Sequence, residues 1–349
     1  MTALPRRTIV PLLCSVLAAA LLSLVATPGV AQAHGPVAPV ASSYLARVGQ
    51  VPAGVDAKVV DADQRMWLKV APDETVVVLD YRGAPYLRFV PSGVQVNRNS
   101  SMYYLNQTPV ALTPPVNLTA KTPPDWRRIS GSHAYSWHDG RLHALAAVAL
   151  APGATFAGRW RVPLIVNGRA TAITGGLWYA ADPSIVWFWP IPVLLLCVLA
   201  AWRLRDASLD ARVARLLAVA ALLATGAAAV GQQLYGRPDV AVLHLVELPV
   251  ILVFVLWGLS RVAFKPRGFF KYLLFALAAL WQGAIMIPVL LYGFVLSALP
   301  AFATRAATVV CLGAGVSLLL LVFRLPEQSE GGAPGDEWDE EREDAWELA

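Results

Sequence analysis

The sequence predicts a β-sandwich domain followed by an α-helical membrane domain of about five transmembrane helices. Two observations carry that prediction. Hydrophobic residues make up 57% of the 349 positions and charged residues only 15%, where a soluble domain has about 25% charged residues. The apolar residues are also unevenly spread. Up to about residue 183 they come in short alternating runs cut by Gly, Pro and Asp, which read as half-buried strands. Beyond it they form long runs at 185–202, 214–235, 240–260, 269–299 and 302–323. About 20 apolar residues suffice to cross a hydrocarbon core roughly 30 Å thick.

The chain opens with Arg6 and Arg7, an apolar stretch to Val25, a break at Thr27-Pro28-Gly29 and the triplet Ala31-Gln32-Ala33. Basic, apolar and A-x-A segments in that order predict a signal peptide over residues 1–33. Cleavage there leaves His34 as the N-terminal residue. Its α-amine and imidazole can chelate one metal ion, and such nitrogen pairs suit Cu(II), Zn and Ni. Signal peptidase reads the alanines, so the alternative is that His34 has no role.

Residues 34–183 read as the exported β-sandwich. Runs at 57–60, 65–70, 75–81, 86–90 and 94–97 are strands, separated by turns such as Pro72-Asp73-Glu74 and Pro91-Ser92-Gly93. Residues 101–106 are aromatic-rich, and 108–124 form a proline-rich loop. Further strands fall at 126–129, 144–150, 155–166 and 170–179, with Asn167-Gly168 as a hairpin turn. The cysteines are Cys14, Cys197 and Cys311. None lies in 34–183, which excludes a disulfide scaffold or a thiolate zinc site there.

Residues 131–143 hold three of the five histidines. Asp139-Gly140 between bulky residues predicts a two-residue type I′ hairpin. In that register His138, Arg141, Ser136 and His143 share one face, and Tyr135, Trp137, Leu142 and His133 the other. The two imidazoles on the first face lie on a diagonal of roughly 7–8 Å at the backbone and can meet at one ion. The metal-ligating candidates are therefore His34, His138 and His143, with Asp139 as a ligand or supporting carboxylate. The competing reading makes the hairpin a fold feature: Asp139 and Gly140 set the turn, Arg141 pairs with a carboxylate and Trp137 packs in the core.

Flanking charge orients the membrane part. Arg203, Arg205, Arg212 and Arg215 follow the first apolar run, and Arg261, Lys265, Arg267 and Lys271 follow the third, whereas the other connections carry Arg237 and Arg305. The positive-inside rule puts residues 34–183 outside and the C-terminus in the cytoplasm. Basic residues beside apolar runs carry topology and do not indicate nucleic-acid binding. Within the runs, His244 and Glu247 share a helix face, and Gln282 and Met286 lie one turn apart. Together they form a candidate cation path, or else serve interhelical hydrogen bonds. Residues 184–324 are the helical domain. The acidic tail 325–349, with Trp338 and Trp346, reads as disordered.

The run Trp137-His138-Asp139-Gly140-Arg141-Leu142-His143, preceded by Tyr103-Tyr104-Leu105-Asn106 and Pro124-Asp125-Trp126, resembles a family of uncharacterised actinobacterial exported membrane proteins with a W-H-D-x-R-x-H pattern. Many of these carry His where this chain has Gly140. The Ala/Arg/Gly/Pro-rich composition fits a high-GC bacterium. An exported β-sandwich starting with histidine and joined to a membrane domain also resembles copper-resistance proteins of the CopC–CopD type, although no Asp-Gly-His segment or Met-rich stretch is present. That resemblance implies a copper ion held by His34 and further ligands.

No serine-nucleophile motif, phosphate loop or paired-carboxylate arrangement stands out, so an enzyme is not expected. The expected function is a membrane-anchored extracytoplasmic metal-binding protein that handles or transports copper. The alternative is a non-catalytic cell-envelope interaction or structural protein. The expected partners are the lipid bilayer, a metal ion and a cell-envelope protein.

Overall fold

The computed structural model describes residues 39–107, 110–143, 150, 153–204, 206–236, 242–264 and 268–323, without the side chains of 207 and 242–245. The expected leader, His34, most of the strand expected at 144–150 and the acidic tail lie outside these residues.

Alternation of apolar and polar side chains builds strands β1 (Ala41–Ser42), β2 (Tyr44–Gln50), β3 (Val55–Val60), β4 (Arg65–Val70), β5 (Val76–Leu79), β6 (Pro85–Val90), β7 (Gly93–Asn97), β8 (Trp126–Ser130), β9 (Ala134–His138), β10 (Phe156–Val166) and β11 (Arg169–Tyr179). Seven of them form one antiparallel sheet in the order β2-β11-β10-β5-β6-β7-β8, and β3-β4-β9 form a second. The two sheets share one core. Met66 and Leu68 come from the smaller sheet, and Val78, Leu87, Phe89, Val162, Leu164 and Ile173 from the larger. Each such side chain contributes about 1.5–3 kcal/mol on burial. Residues 126–129 and 170–179 are strands as expected.

Two elements appear that the sequence pattern did not announce, and one local expectation is corrected. Ser101–Leu105 is a short helix, α1, because the Ser100 hydroxyl accepts from Met102 N and caps it. The edge strand β2 buries only Ala46 well, so its sequence lacks a clear alternation. Asp139-Gly140 is not a hairpin turn. Strand β9 ends at His138 and pairs with β4, from Arg65 opposite His138 to Lys69 opposite Ala134. Asp139 is extended, with φ −135°, and caps a 3₁₀ turn over Gly140–Leu142 by accepting from Arg141 N. A type I′ turn needs φ > 0 at both central residues. Two consecutive positive φ values occur at Asn167-Gly168, the expected hairpin turn, and at Asp61-Ala62, with φ 59° and 68°, inside the four-residue loop that joins β3 to β4. Trp137 and Leu142 are therefore not cross-strand partners, yet both enter the core.

The C-terminal part is helical: α2 (Pro190–Leu204), α3 (Ala207–Gln233), α4 (Val242–Phe264), α5 (Phe269–Ile285), α6 (Pro288–Leu291) and α7 (Ala301–Val322), with a short strand β12 (Phe294–Val295) before α7. Four helices, Ile185–Leu204, Ser208–Gln233, Val246–Phe264 and Ala301–Val322, are long and apolar enough to cross a membrane. Helix α7 packs against α2, α3 and α5. Leu196 and Leu199 on α2, and Val250, Val253 and Leu256 on α4, remain exposed, the expected state of a lipid-facing surface. This is a membrane protein.

The apolar run 269–299 is not one helix. Helix α5 has 17 residues, about 25 Å at the helical rise. The chain then turns through α6 into β12. Arg305 of α7 donates to the carbonyls of Val289, Tyr292 and Gly293 at 3.1, 3.3 and 3.0 Å, which satisfies backbone oxygens that the helices leave open. Strand β12 pairs with β1, Ala41 opposite Val295, and Leu296 N donates to Val40 O. The start of the sandwich is thus strapped to the loop ahead of α7.

Candidate functional site

The 3₁₀ turn after β9 brings the residues of the histidine-rich segment into two distinct groups. The first is built around Asp139, whose side chain is 0% exposed. Its Oδ1 accepts from Arg141 N at 3.1 Å and Nε at 2.8 Å, and its Oδ2 from Trp137 Nε1 at 3.0 Å and Arg141 Nη2 at 2.6 Å. Arg141 Nη1 donates to Leu79 O at 2.9 Å, and its guanidinium lies 5.2 Å from the centre of the Tyr81 ring. The Tyr81 hydroxyl accepts from Gly140 N at 2.7 Å. A Cβ on Gly140 would sit 3.0 Å from that oxygen, so this glycine answers a close approach and not a positive φ.

An ionised carboxylate offers about four lone-pair positions, and all four are filled here. Asp139 therefore serves the fold, with Arg141 as its counter-ion and Trp137 in the core. Partial burial, and after it the charge of Asp139, push the Tyr81 hydroxyl up to about 12. Burial also raises Tyr86 and Tyr135. These phenols keep their protons near neutral pH.

A second carboxylate supports the same region. Asp80 accepts through Oδ1 from Arg82 N and Ala84 N, and through Oδ2 from the hydroxyls of Ser100 and Ser101 and from Ser101 N. It ties the β5–β6 turn to the start of α1, and Met102 of that helix lies against Arg141. Asp80-Tyr81-Arg82-Gly83 is a visible turn signal, but its link to Asp139 is not.

The second group is the imidazole pair. His138 and His143 have ring centroids 4.9 Å apart with planes at 35°. The two candidates do meet, although a 3₁₀ turn and not a hairpin joins them. His143 Nδ1 lies 3.1 Å from Asp63 Oδ2. Asp63 belongs to the β3–β4 turn, and the pairing of β4 with β9 carries that turn to the end of β9. In the neutral tautomer that carries its proton on Nδ1, this contact is a hydrogen bond to Asp63 and the lone pair lies on Nε2. The sequence reading missed Asp63. Its only signal was the turn Asp61-Ala62-Asp63-Gln64 between two strands. The guanidinium nitrogens of Arg141 are taken up by Asp139 and the Leu79 carbonyl. His133 lies at the far end of β9, where its carbonyl accepts from Val70 N. Among the described residues, no group of three or more His, Cys, Asp or Glu side chains is arranged to hold a metal ion.

The intramembrane candidates are not brought together. Gln282 Nε2 donates to Gln232 Oε1 at 3.2 Å, and Glu247 Oε2 accepts from Gln233 Nε2 at 2.9 Å. Adjacent glutamines of α3 thus hold two different helices. Met286 is buried in a separate apolar cluster with Val40, Ala41, Ala228, Val289 and Ala307. The side chain of His244 lies outside the described residues. The pair Gln232-Gln233 was the overlooked signal, two amides together in an apolar run.

No known protein family, curated protein or solved structure matches the chain, so the functional reading rests on geometry.

Proposed function

We propose that the chain is a membrane-anchored extracytoplasmic binding protein that takes up a copper or zinc ion at the imidazole pair His138–His143. The observation that supports this is the pairing itself: two imidazoles 4.9 Å apart, one oriented by a carboxylate on its Nδ1. A carboxylate behind a ligating histidine fixes its tautomer and raises its basicity. Two nitrogens leave coordination positions open, and His34, as an N-terminal amine and imidazole, is the third contributor in this reading. Asp139 is not among the ligands, because its lone pairs are taken. The ion is cargo or signal, and the helices anchor the site at the outer face of the membrane.

One observation favours a second reading. The knot of Asp139, Arg141, Trp137 and Tyr81 is what a rigid, non-catalytic envelope-interaction domain would use to hold an edge in shape. Titration of Cu(II) and Zn(II) into the chain processed to begin at His34, in detergent, separates the two. In the metal reading, His138→Gln and His143→Gln each weaken binding at least ten-fold, and one extra residue ahead of His34 weakens Cu(II) binding. Affinity no better than that of a histidine-containing random peptide leaves the interaction reading.

A further inference from the structure

We propose that the outer face of the larger sheet, at its membrane-proximal end, binds anionic phospholipid headgroups through Arg47, Arg159 and Arg161. The strand register sets up this face. On β10 and β11, Arg159 lies opposite Gly176, Arg161 opposite Thr174 and Phe156 opposite Trp178. Gly176 is in turn opposite Arg47 on β2. Trp160 is buried, so its neighbours Arg159 and Arg161 point outward by the alternation of a strand. All three arginines are exposed, and none is ion-paired with a carboxylate among the described residues.

Aromatic rings flank the arginines on the membrane side. The Arg47 guanidinium lies 5.3 Å from the Trp178 ring centre. Phe156 packs against Trp178 with ring centroids 5.6 Å apart. Phe156 is 47% exposed. Strand β11 ends at Tyr179, and the first membrane-crossing helix begins at Ile185. This end of the sheet is therefore the end that meets the bilayer. Trp and Tyr collect at the headgroup level. At about 3.3 Å per residue, Gly176 and its partners Arg159 and Arg47 stand roughly 10 Å above Tyr179, and Arg161 roughly 17 Å above it. The nearer pair can reach headgroup phosphates. Arg161 lies about one further Debye length out at ordinary salt and adds attraction. Arg159 and Arg161, together with Gly49, Gln50, Trp160, Thr174 and Gly175, line a cleft of about 570 Å³, where the two guanidinium groups can meet a phosphate. Arginine suits this role because its planar fork binds phosphate through two donors.

The occupant is the lipid of the membrane that the helices themselves cross. Continuity between the aromatic–arginine face and the first crossing helix favours it over a soluble polyanion. The test is native mass spectrometry of the full chain in detergent, titrated with phosphatidylglycerol or phosphatidylcholine. Phosphatidylglycerol is expected to bind the native chain more tightly. Each Arg→Gln change at 47, 159 or 161 is expected to weaken it about five-fold, and the triple change about 100-fold. Phosphatidylcholine binding and an Arg127→Gln/Arg128→Gln control at the other edge of the sheet stay unchanged. Equal phosphatidylglycerol affinity in the native and triple-Gln chains overturns the proposal.

A triple Arg→Lys chain guards against misfolding. It keeps the charge and retains phosphatidylglycerol within a few-fold, and loss as deep as in the Gln chain, with tryptophan near-UV circular dichroism intact, overturns the proposal. A polyglycerol-phosphate polymer that depends on the three arginines while phosphatidylglycerol does not assigns the face to a wall polymer and overturns the lipid reading.

Discussion

Removing the guanidinium of Arg141 tests whether Asp139 belongs to the fold or to a metal site. In Arg141→Met the stem is kept and two charge-assisted bonds to Asp139 are lost. A carboxylate with no exposed surface is left with Trp137 Nε1 and one backbone N–H. Stripping a buried charge of its partner costs about 3–5 kcal/mol. At about 2–4 °C per kcal/mol for a unit of this size, the melting temperature of the sandwich falls by about 10 °C. Asp139→Asn keeps the shape and removes the charge. Arg141 retains Leu79 O and the Tyr81 face, so this change costs less, about 2–3 kcal/mol. Each single change leaves one charge uncompensated, whereas the double change leaves none. The double variant should therefore be no worse than Arg141→Met, with a coupling of about 2 kcal/mol or more. Thermal unfolding of the full chain in detergent, followed by tryptophan near-UV circular dichroism, reads all four corners of the cycle. Metal titration of the same proteins gives an independent readout, and neither change should move it by more than a few-fold. Strictly additive losses would refute the buried-pair reasoning. Asp139→Asn that abolishes metal binding without lowering the melting temperature would make Asp139 a ligand after all.

Other expectations are more local. Asp63→Asn frees the His143 tautomer and should weaken Zn(II) or Cu(II) binding about ten-fold with little change in melting temperature, read by titration. Tyr81 has its hydroxyl pushed from 10 up to about 12, so the unfolded chain gives up this proton first; stability is intact below pH 10 and falls as pH rises from 10 through 12. Alkaline unfolding curves should show a shallower decline in Tyr81→Phe, and Tyr86 and Tyr135 act with the same sign. A side chain on Gly293 would meet Ala180 and the Ala181 carbonyl at 2.5–2.6 Å, so Gly293→Val should loosen the junction of sandwich and helices. Faster amide exchange in β1 and β12, with the sheets unchanged, is the expected sign. Gln282→Ala removes one interhelical hydrogen bond and should cost about 0.6 kcal/mol in detergent unfolding, with no change in metal binding.

Much of the architecture was legible because it depends on local patterning. Strands such as Arg65–Val70 and Pro85–Val90 announce themselves as short apolar runs bounded by turn residues, and the helices by the length of their apolar runs. The misreadings occurred where a local signal had two physical outcomes. Asp-Gly supports a I′ turn, but an aspartate also caps a 3₁₀ turn. The choice was made by Leu79 and Tyr81, which lie about 60 residues away and offer Arg141 and Gly140 their partners. The apolar run 269–299 reads as one span by hydropathy, yet Pro288 and the donors of Arg305 make it cheaper to break the helix than to continue it.

The site was legible in its residue types and not in its grouping. Periodicity states which side chains share a face, but not what stands opposite. His138 and His143 came together, but through a 3₁₀ turn and not through the hairpin that their spacing suggested. Asp63 could join them only through the pairing of β4 with β9, which no local pattern encodes. The membrane helices make the same point in reverse. Adjacent residues on a helix point about 100° apart, so Gln232 and Gln233 cannot serve one site. They reach α5 and α4 separately, and Gln282 and Glu247 are drawn to different faces of α3. A cation path needs its polar groups to converge. These diverge, and each is answered by an amide, which is how a bundle fixes the rotation of its helices where apolar packing alone is weakly specific.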